Sequence, residues 1–399
     1  MESDLVLGYL FLLLLFFLFF SASFYFGFRE WRRPWDAVPL SMDVEYVRAE
    51  NYFGQSFRGK MQEWLAEAQP DGAPARELPG SVRLMTPGGE HVLTRGGGRI
   101  GSRNGREEIV YSEEDLTLAG GSVFRREIYC RSRLETETGV QLQSVAADGD
   151  VILGVANDVA RWVDAHGRIA IRSGTVVRSR VSSLASIELA REVSVQSLYA
   201  PLIVTAKFLP KPIAGRNPEN EDPRSIPVAQ SGTLENLPHE GPLPERHIDV
   251  VQGRGSDKPA LPPYLEGLRC SRLEPGTWLV QGDLDLPPGS RVEGNLVVKG
   301  TLTSGFDCIF TGDVKAVRIK LGARNRVYGN LVSEGSLDVG EGSFMEKNVA
   351  AGSDIRLSAG ACVGRRDWLA AISAGGEIVL EENVAVHGKV AAGRWIRTV

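Results

Sequence analysis

The chain has little of what most enzyme chemistry draws on. Its four cysteines, Cys130, Cys270, Cys308 and Cys362, stand far apart, so the sequence holds no CxxC spacing for redox or zinc chemistry. A set this scattered suits a reducing compartment, where a buried thiol behaves as a small hydrophobe. Only five histidines are present, and no P-loop, GxSxG or HExxH motif accompanies them. Neither sign of charge dominates, since the formal net charge is −5, and nothing in it argues for nucleic acid as a partner. No catalytic, cofactor-binding or metal-ligating residue is therefore assigned.

Glycine, by contrast, is abundant. Forty-five glycines exceed the usual ~7%. They follow no three-residue period, which excludes collagen. Set among Val, Ile and Leu, they suit many short strands joined by tight turns. The Gly-rich GGGRIG at 96–101 is followed by no helical pattern, so it reads as a flexible turn and not as a phosphate cradle. At 399 residues the chain is too long for one compact core and suggests two or three domains.

Residues 5–28 form an uncharged run dominated by Leu and Phe. As a helix it is long enough to cross the ~30 Å hydrocarbon core. The alternative, a cleaved signal peptide, calls for a basic start, whereas Glu2 and Asp4 are acidic. Arg29, Arg32 and Arg33 follow at once, interleaved with Trp31 and Trp35. Basic residues after the span place the C-terminal side in the cytoplasm, with the tryptophans at the headgroup level of the bilayer. The expected location is thus the cytoplasmic (inner) membrane, crossed once. Residues 29–80 read as a juxtamembrane segment and spacer. Within them Phe53, Phe57, Met61, Trp64 and Leu65 recur at mixed helical spacing, weakened by Gly54 and Gly59. The expectations are a helix lying on the membrane or on a second copy, or a plain spacer.

Two repeat arrays follow. In the first, Val159, Val177 and Val195 recur every 18 residues, as do Val145, Val163 and Val181. Val151, Ile169 and Ile187 make a third column, and Leu153, Ile171 and Leu189 a fourth, two positions on. Gly149, Gly167 and Ala185 mark a turn in register. Columns two residues apart are one face of a strand, and their recurrence coil after coil is a solenoid signature. In the second array Ile319, Leu337 and Ile355 keep the same period, accompanied by Leu321, Val339 and Leu357. Ile309, Val327, Met345 and Val363 extend the rule, as do Leu331 and Val349. Gly322 and Gly340 mark one corner, Gly342 and Gly360 another. A one-residue slip appears at Gly329, and a five-residue insertion at Gly364–Leu369 delays Ile378, Leu380 and Val386. The reading is all-β: two β-solenoid (β-helix) domains of ~18-residue coils, at 81–207 and 266–399, after one transmembrane helix. Residues 208–265 are a Pro-rich linker with too little apolar sequence to weld the arrays together, so each is expected to fold independently.

The runs RVEGNLVVKGTL at 291–302, FTGDVKA at 310–316 and RVYGNLVSEGSLDVGEG at 326–342 resemble the bactofilin family of polymer-forming bacterial cytoskeletal proteins. The resemblance covers the second array only. It implies a three-sided β-helix that polymerises end to end without nucleotide, often on the inner face of the membrane. A solenoid end exposes unpaired strand edges, and the last coil carries Trp395, Ile396 and Val399. These three residues are the expected self-association contact, the alternative being that Trp395 folds back as a cap. The expected function is a membrane-anchored, self-associating scaffold, non-enzymatic, whose partners are further copies of itself, the lipid bilayer and cell-envelope proteins. The rival is a membrane-bound β-helix enzyme, a hexapeptide-type acyltransferase or a carbohydrate-active enzyme. Such an acyltransferase needs a general-base histidine. Of His91, His166, His239, His247 and His387, only His387 lies on a late coil.

Overall fold

The computed structural model describes Tyr9, residues 11–17, Tyr25 and residues 51–67, 69–70, 81–86, 89–206, 270–274 and 276–399. Tyr9 and residues 11–17 are helical. Most of the apolar run, the Arg29–Trp35 cluster and the Pro-rich linker lie outside the described residues. No described helix is long and apolar enough to cross a membrane. Strand accounts for 53% of the chain and builds a β-solenoid of about 13 turns.

Each coil has three short sides, and strands pair in parallel with their counterparts one coil away. On the first face of the first array the inward column runs Val110, Ile128, Val145, Val163, Val181 and Leu198. The second face stacks Leu116, Leu134, Val151, Ile169 and Ile187. The third stacks Phe124, Leu142, Val159, Val177 and Val195. All of these side chains are buried. One coil alone cannot hide its inward side chains; the coils above and below do. Each buried Val, Leu, Ile or Phe contributes about 1.5–3 kcal/mol. The array opens with strands His91–Arg95 and Gly98–Ile100, within the expected bounds of 81–207. The GGGRIG run is therefore partly strand.

The second array follows the same plan and confirms most columns. Ile319, Leu337, Ile355 and Ile378 pair in register, as do Leu331, Val349 and Ile372. One column needs correction. Val327 pairs with Phe310, and Ile309 stands opposite Arg326. One coil here is a residue shorter, on all three faces, so a fixed 18-residue rule slides Ile309 onto the inward line that Phe310 occupies. Phe310 is fully buried and Ile309 only partly so. The insertion falls where the sequence places it: Ala370 resumes the first face, and residues 364–369 form a tight projection closed by reciprocal backbone bonds between Arg365 and Trp368 (3.0 and 3.1 Å).

The glycine corner Gly305, Gly322, Gly340 has a steric cause. A Cβ on Gly340 would lie 2.3 Å from the carbonyl oxygen of Gly322, and one on Gly322 2.6 Å from that of Gly305. At these positions the neighbouring coil's backbone leaves no room for a side chain, whereas Ser358 and Glu381 take the same place on the next two coils. Two residues on, the same turn needs a left-handed residue before a buried one. Gly342 (φ +62°) and Gly360 (φ +69°) fill it, but so do Ala156 (+54°), Arg324 (+55°) and Asn383 (+54°).

The register makes a clear prediction. Phe310→Ala should destabilise the protein by about 3–5 kcal/mol through the cavity it leaves, while Ile309→Ala should cost under about 1.5 kcal/mol. Denaturant melts of the two variants measure the difference.

Candidate functional site

The decisive feature is where the two arrays meet. Strand Ser194–Thr205 ends the first array and strand Ala385–Thr398 ends the second. They pair antiparallel through eight residue pairs, from Ser194↔Arg397 to Val204↔Ala385. Val195, Leu198, Ala200 and Ile203 face Ile396, Val390, Gly388 and Val386 across the seam. All these residues are buried, so one core runs through both arrays. The arrays lie in a single compact unit. The two arrays, expected as separate domains, meet here as two stacks joined tail to tail.

Two threonines lock the seam in a two-fold pattern. The Thr398 hydroxyl accepts a bond from Val193 N (2.9 Å) and donates to Ala190 O (2.6 Å). The Thr205 hydroxyl accepts from Val384 N (2.8 Å) and donates to Glu381 O (2.6 Å). Within the arrays, Thr175 and Ser343 do the same for Asn157 N (3.2 Å) and Asn325 N (3.1 Å), donating onward to Gly154 O and Gly322 O. Each terminal threonine thus stands in for the next coil's corner hydroxyl. The seam continues the solenoid's own chemistry.

This placement redefines the expected contact residues. Ile396 is buried opposite Val195, Trp395 is half-buried in the same strand, and Val399 is 44% exposed just beyond it. The edge expected to recruit a second copy is occupied within the chain. Arg29, Trp31, Arg32, Arg33 and Trp35 lie outside the described residues. His387 sits at the seam, where its Nδ1 donates to the Pro201 carbonyl at 3.0 Å. That bond joins it to the other array and gives it a positioning partner rather than a substrate-facing one.

The opposite ends of the stacks share a design. At each, an antiparallel strand covers the first-face edge: Ser81–Met85 on His91–Arg95, and Cys270–Glu274 on Thr277–Val280. Beside them Gly98–Ile100, Leu284–Leu286 and Arg291–Val292 are paired on one side only among the described residues.

A second feature flanks the first array. The segment is helical over Tyr52–Glu67 and packs on the outside of the first face, so it is not a plain spacer. Met61 is fully buried there against Val92, Ile109, Tyr129 and Trp162. Phe57 meets Tyr129 and Trp162 edge-on, at 6.4 and 5.7 Å between ring centroids. Arg58 is the polar key. Its guanidinium donates to Asp148 (2.9 Å), to the Ala147 carbonyl (2.5 Å) and, in a very short contact, to Asp164. Gly54 allows the approach, since a Cβ there would lie 2.2 Å from the Asp164 carboxyl. Tyr129 donates to Asp148 at 2.8 Å. Burial, and then that bond, hold its phenol well above the ordinary range, so it stays a neutral donor.

Between the helix, the Ser81–Met85/His91–Arg95 hairpin and the coil face lies a cleft of about 660 Å³. The helix contributes Leu65 to its lining, the hairpin Val82 and Leu84, and the coil face Tyr111, Tyr129, Glu113 and Arg131. Among the described residues no group of three or more His, Cys, Asp or Glu is arranged to hold a metal ion. No protein-family model, curated protein or solved structure matches this chain.

Three outcomes follow. Thr205→Val and Thr398→Val should each cost about 1–3 kcal/mol by stranding a buried N–H, and by similar amounts, as the two-fold pattern requires. Arg58→Met should cost about 3–5 kcal/mol, because Asp164, 2% exposed, is left buried without its partner. Hydrogen exchange should then speed up in residues 52–67 before the coils respond. Burial pushes the Cys130 thiol up to about 11, so at pH 8 it should resist alkylation in the native protein and react only on unfolding.

Proposed function

We propose that this chain is a membrane-anchored, non-enzymatic scaffold of the bactofilin type that self-associates through the N-terminal ends of its two arrays. The observation that carries this reading is the tail-to-tail seam. It is a worked case, inside one chain, of a solenoid end satisfied by another solenoid end through strand pairing. Joining the two C-terminal ends leaves the two N-terminal ends facing outward. Among the described residues each retains one-sided strands, Gly98–Ile100 at one end and Leu284–Leu286 with Arg291–Val292 at the other. Unpaired N–H and C=O groups along an edge strand are a template for a further strand.

An interface repeated at both ends of a stack generates a linear assembly unless it closes. The uncharged run at residues 5–28 would hold that assembly at the inner face of the cytoplasmic membrane, with Arg29, Arg32 and Arg33 on the cytoplasmic side. The repeated outer faces would then offer many copies of one surface to cell-envelope proteins.

Two measurements test this. Full-length protein in detergent should sediment as species larger than a monomer at tens of micromolar, and electron microscopy should show growth along the stack axis. A uniformly monomeric protein overturns self-association. Membranes from producing cells, washed with alkaline carbonate, should retain the protein; its release overturns the anchor.

A further inference from the structure

The cleft beside the docked helix has no part in the scaffold reading and stands independently of it. Three separate elements build it, and part of its lining is fixed: Tyr129 bonds to Asp148, which Arg58 holds in turn. Its volume of about 660 Å³ falls within the range of small-molecule sites.

Its chemistry narrows the ligand. Arg131 and Glu113 stand on adjacent coils and are exposed. The Tyr111 hydroxyl lies between them in the lining and donates to Glu113 at 3.4 Å. One cation and one anion offset each other, so the pair has no preference for a charged ligand. Together they present a fork of N–H donors beside a carboxylate acceptor. Leu65, Val82 and Leu84 supply apolar lining from the helix and hairpin, and Val82 is 51% exposed. A ligand matching this cleft is uncharged, donates and accepts hydrogen bonds along one edge, and has an apolar face. Sugar rings combine these properties: vicinal hydroxyls that both donate and accept, and a C–H face. An amide-bearing peptide offers the same bonds, but spaced along an extended backbone and not clustered on one compact ring edge.

We propose that this cleft is a carbohydrate-binding site, with Arg131 and Glu113 holding vicinal hydroxyls and Val82, Leu84 and Leu65 meeting the ring face. The test is saturation-transfer NMR on the full chain, in a detergent without a sugar headgroup. Cellobiose and diacetylchitobiose serve as carbohydrate probes and trialanine amide as the peptide probe. Wild type should transfer saturation to at least one disaccharide. Arg131→Met and Glu113→Gln should each weaken binding about tenfold to a hundredfold, as loss of a charged hydrogen bond implies. Arg161→Met, exposed and outside the cleft, should bind as wild type does. Because Arg131 and Glu113 are exposed, both variants should keep their β circular dichroism, and Glu113→Gln serves alone if Arg131→Met fails to fold. The proposal is overturned if neither disaccharide receives saturation, if the folded variants bind unchanged, or if only trialanine amide binds.

Discussion

The constraint on which this structure rests is the open end of a stack. A solenoid coil satisfies its backbone by pairing with the coils on either side, so the last coil always has one row of donors and acceptors left over. Here the last coils of two arrays meet and each supplies what the other lacks. The match extends past the backbone ladder. Inward side chains continue as one core through Leu198, Ile203, Val386, Val390 and Ile396. Thr205 and Thr398 reproduce across the seam the hydroxyl that the Asn157 and Asn325 corners take from their neighbouring coil. Replacing either threonine hydroxyl removes a partner from a buried N–H, which is why such a small group matters.

That arrangement also constrains assembly. A chain with a free C-terminal coil could add copies at both ends of each array. With those coils joined, only the N-terminal ends remain, and each already has its first-face edge covered by an antiparallel strand. Proposed growth is therefore confined to the strands beside those covers. The helix Tyr52–Glu67 adds a second restraint, because a guanidinium shared by Asp148 and Asp164 fixes it to one flank of the first array. A buried pair of this kind is a modest source of stability but a strong one of register, since no other residue of the helix reaches those carboxylates with five N–H donors.

Much of the solenoid is legible in the sequence because stacking forces like residues onto like positions. Val145, Val163 and Val181 lie in one column for the same reason that they pair in space. The insertion at Gly364–Leu369 is legible too, since it displaces every later column equally. Ile309 misleads because a coil shortened by one residue keeps an aliphatic side chain at the old spacing. The helix is obscured by Gly54, which weakens helical propensity yet is what lets Arg58 reach Asp164. The seam is harder still, because antiparallel pairing between residues about 190 apart leaves no period. Its one local trace is length. Strands of 12 and 14 residues close the two arrays, where most others span two to five. The cleft leaves no trace at all, since Gln62, Val82, Tyr111 and Arg131 are brought together only by docking.

The seam is tested most directly by a disulfide across it. Ser197 and Ala391 are paired on neighbouring antiparallel strands, so their Cα atoms should lie ~4.5–5.5 Å apart, within reach of an S–S bond. In full-length protein carrying Ser197→Cys and Ala391→Cys, mild oxidation should link positions 197 and 391 within one chain, identified by peptide mass spectrometry, at a rate independent of protein concentration. Failure to form that link in folded protein, or its formation only between chains, would contradict a tail-to-tail junction within the chain.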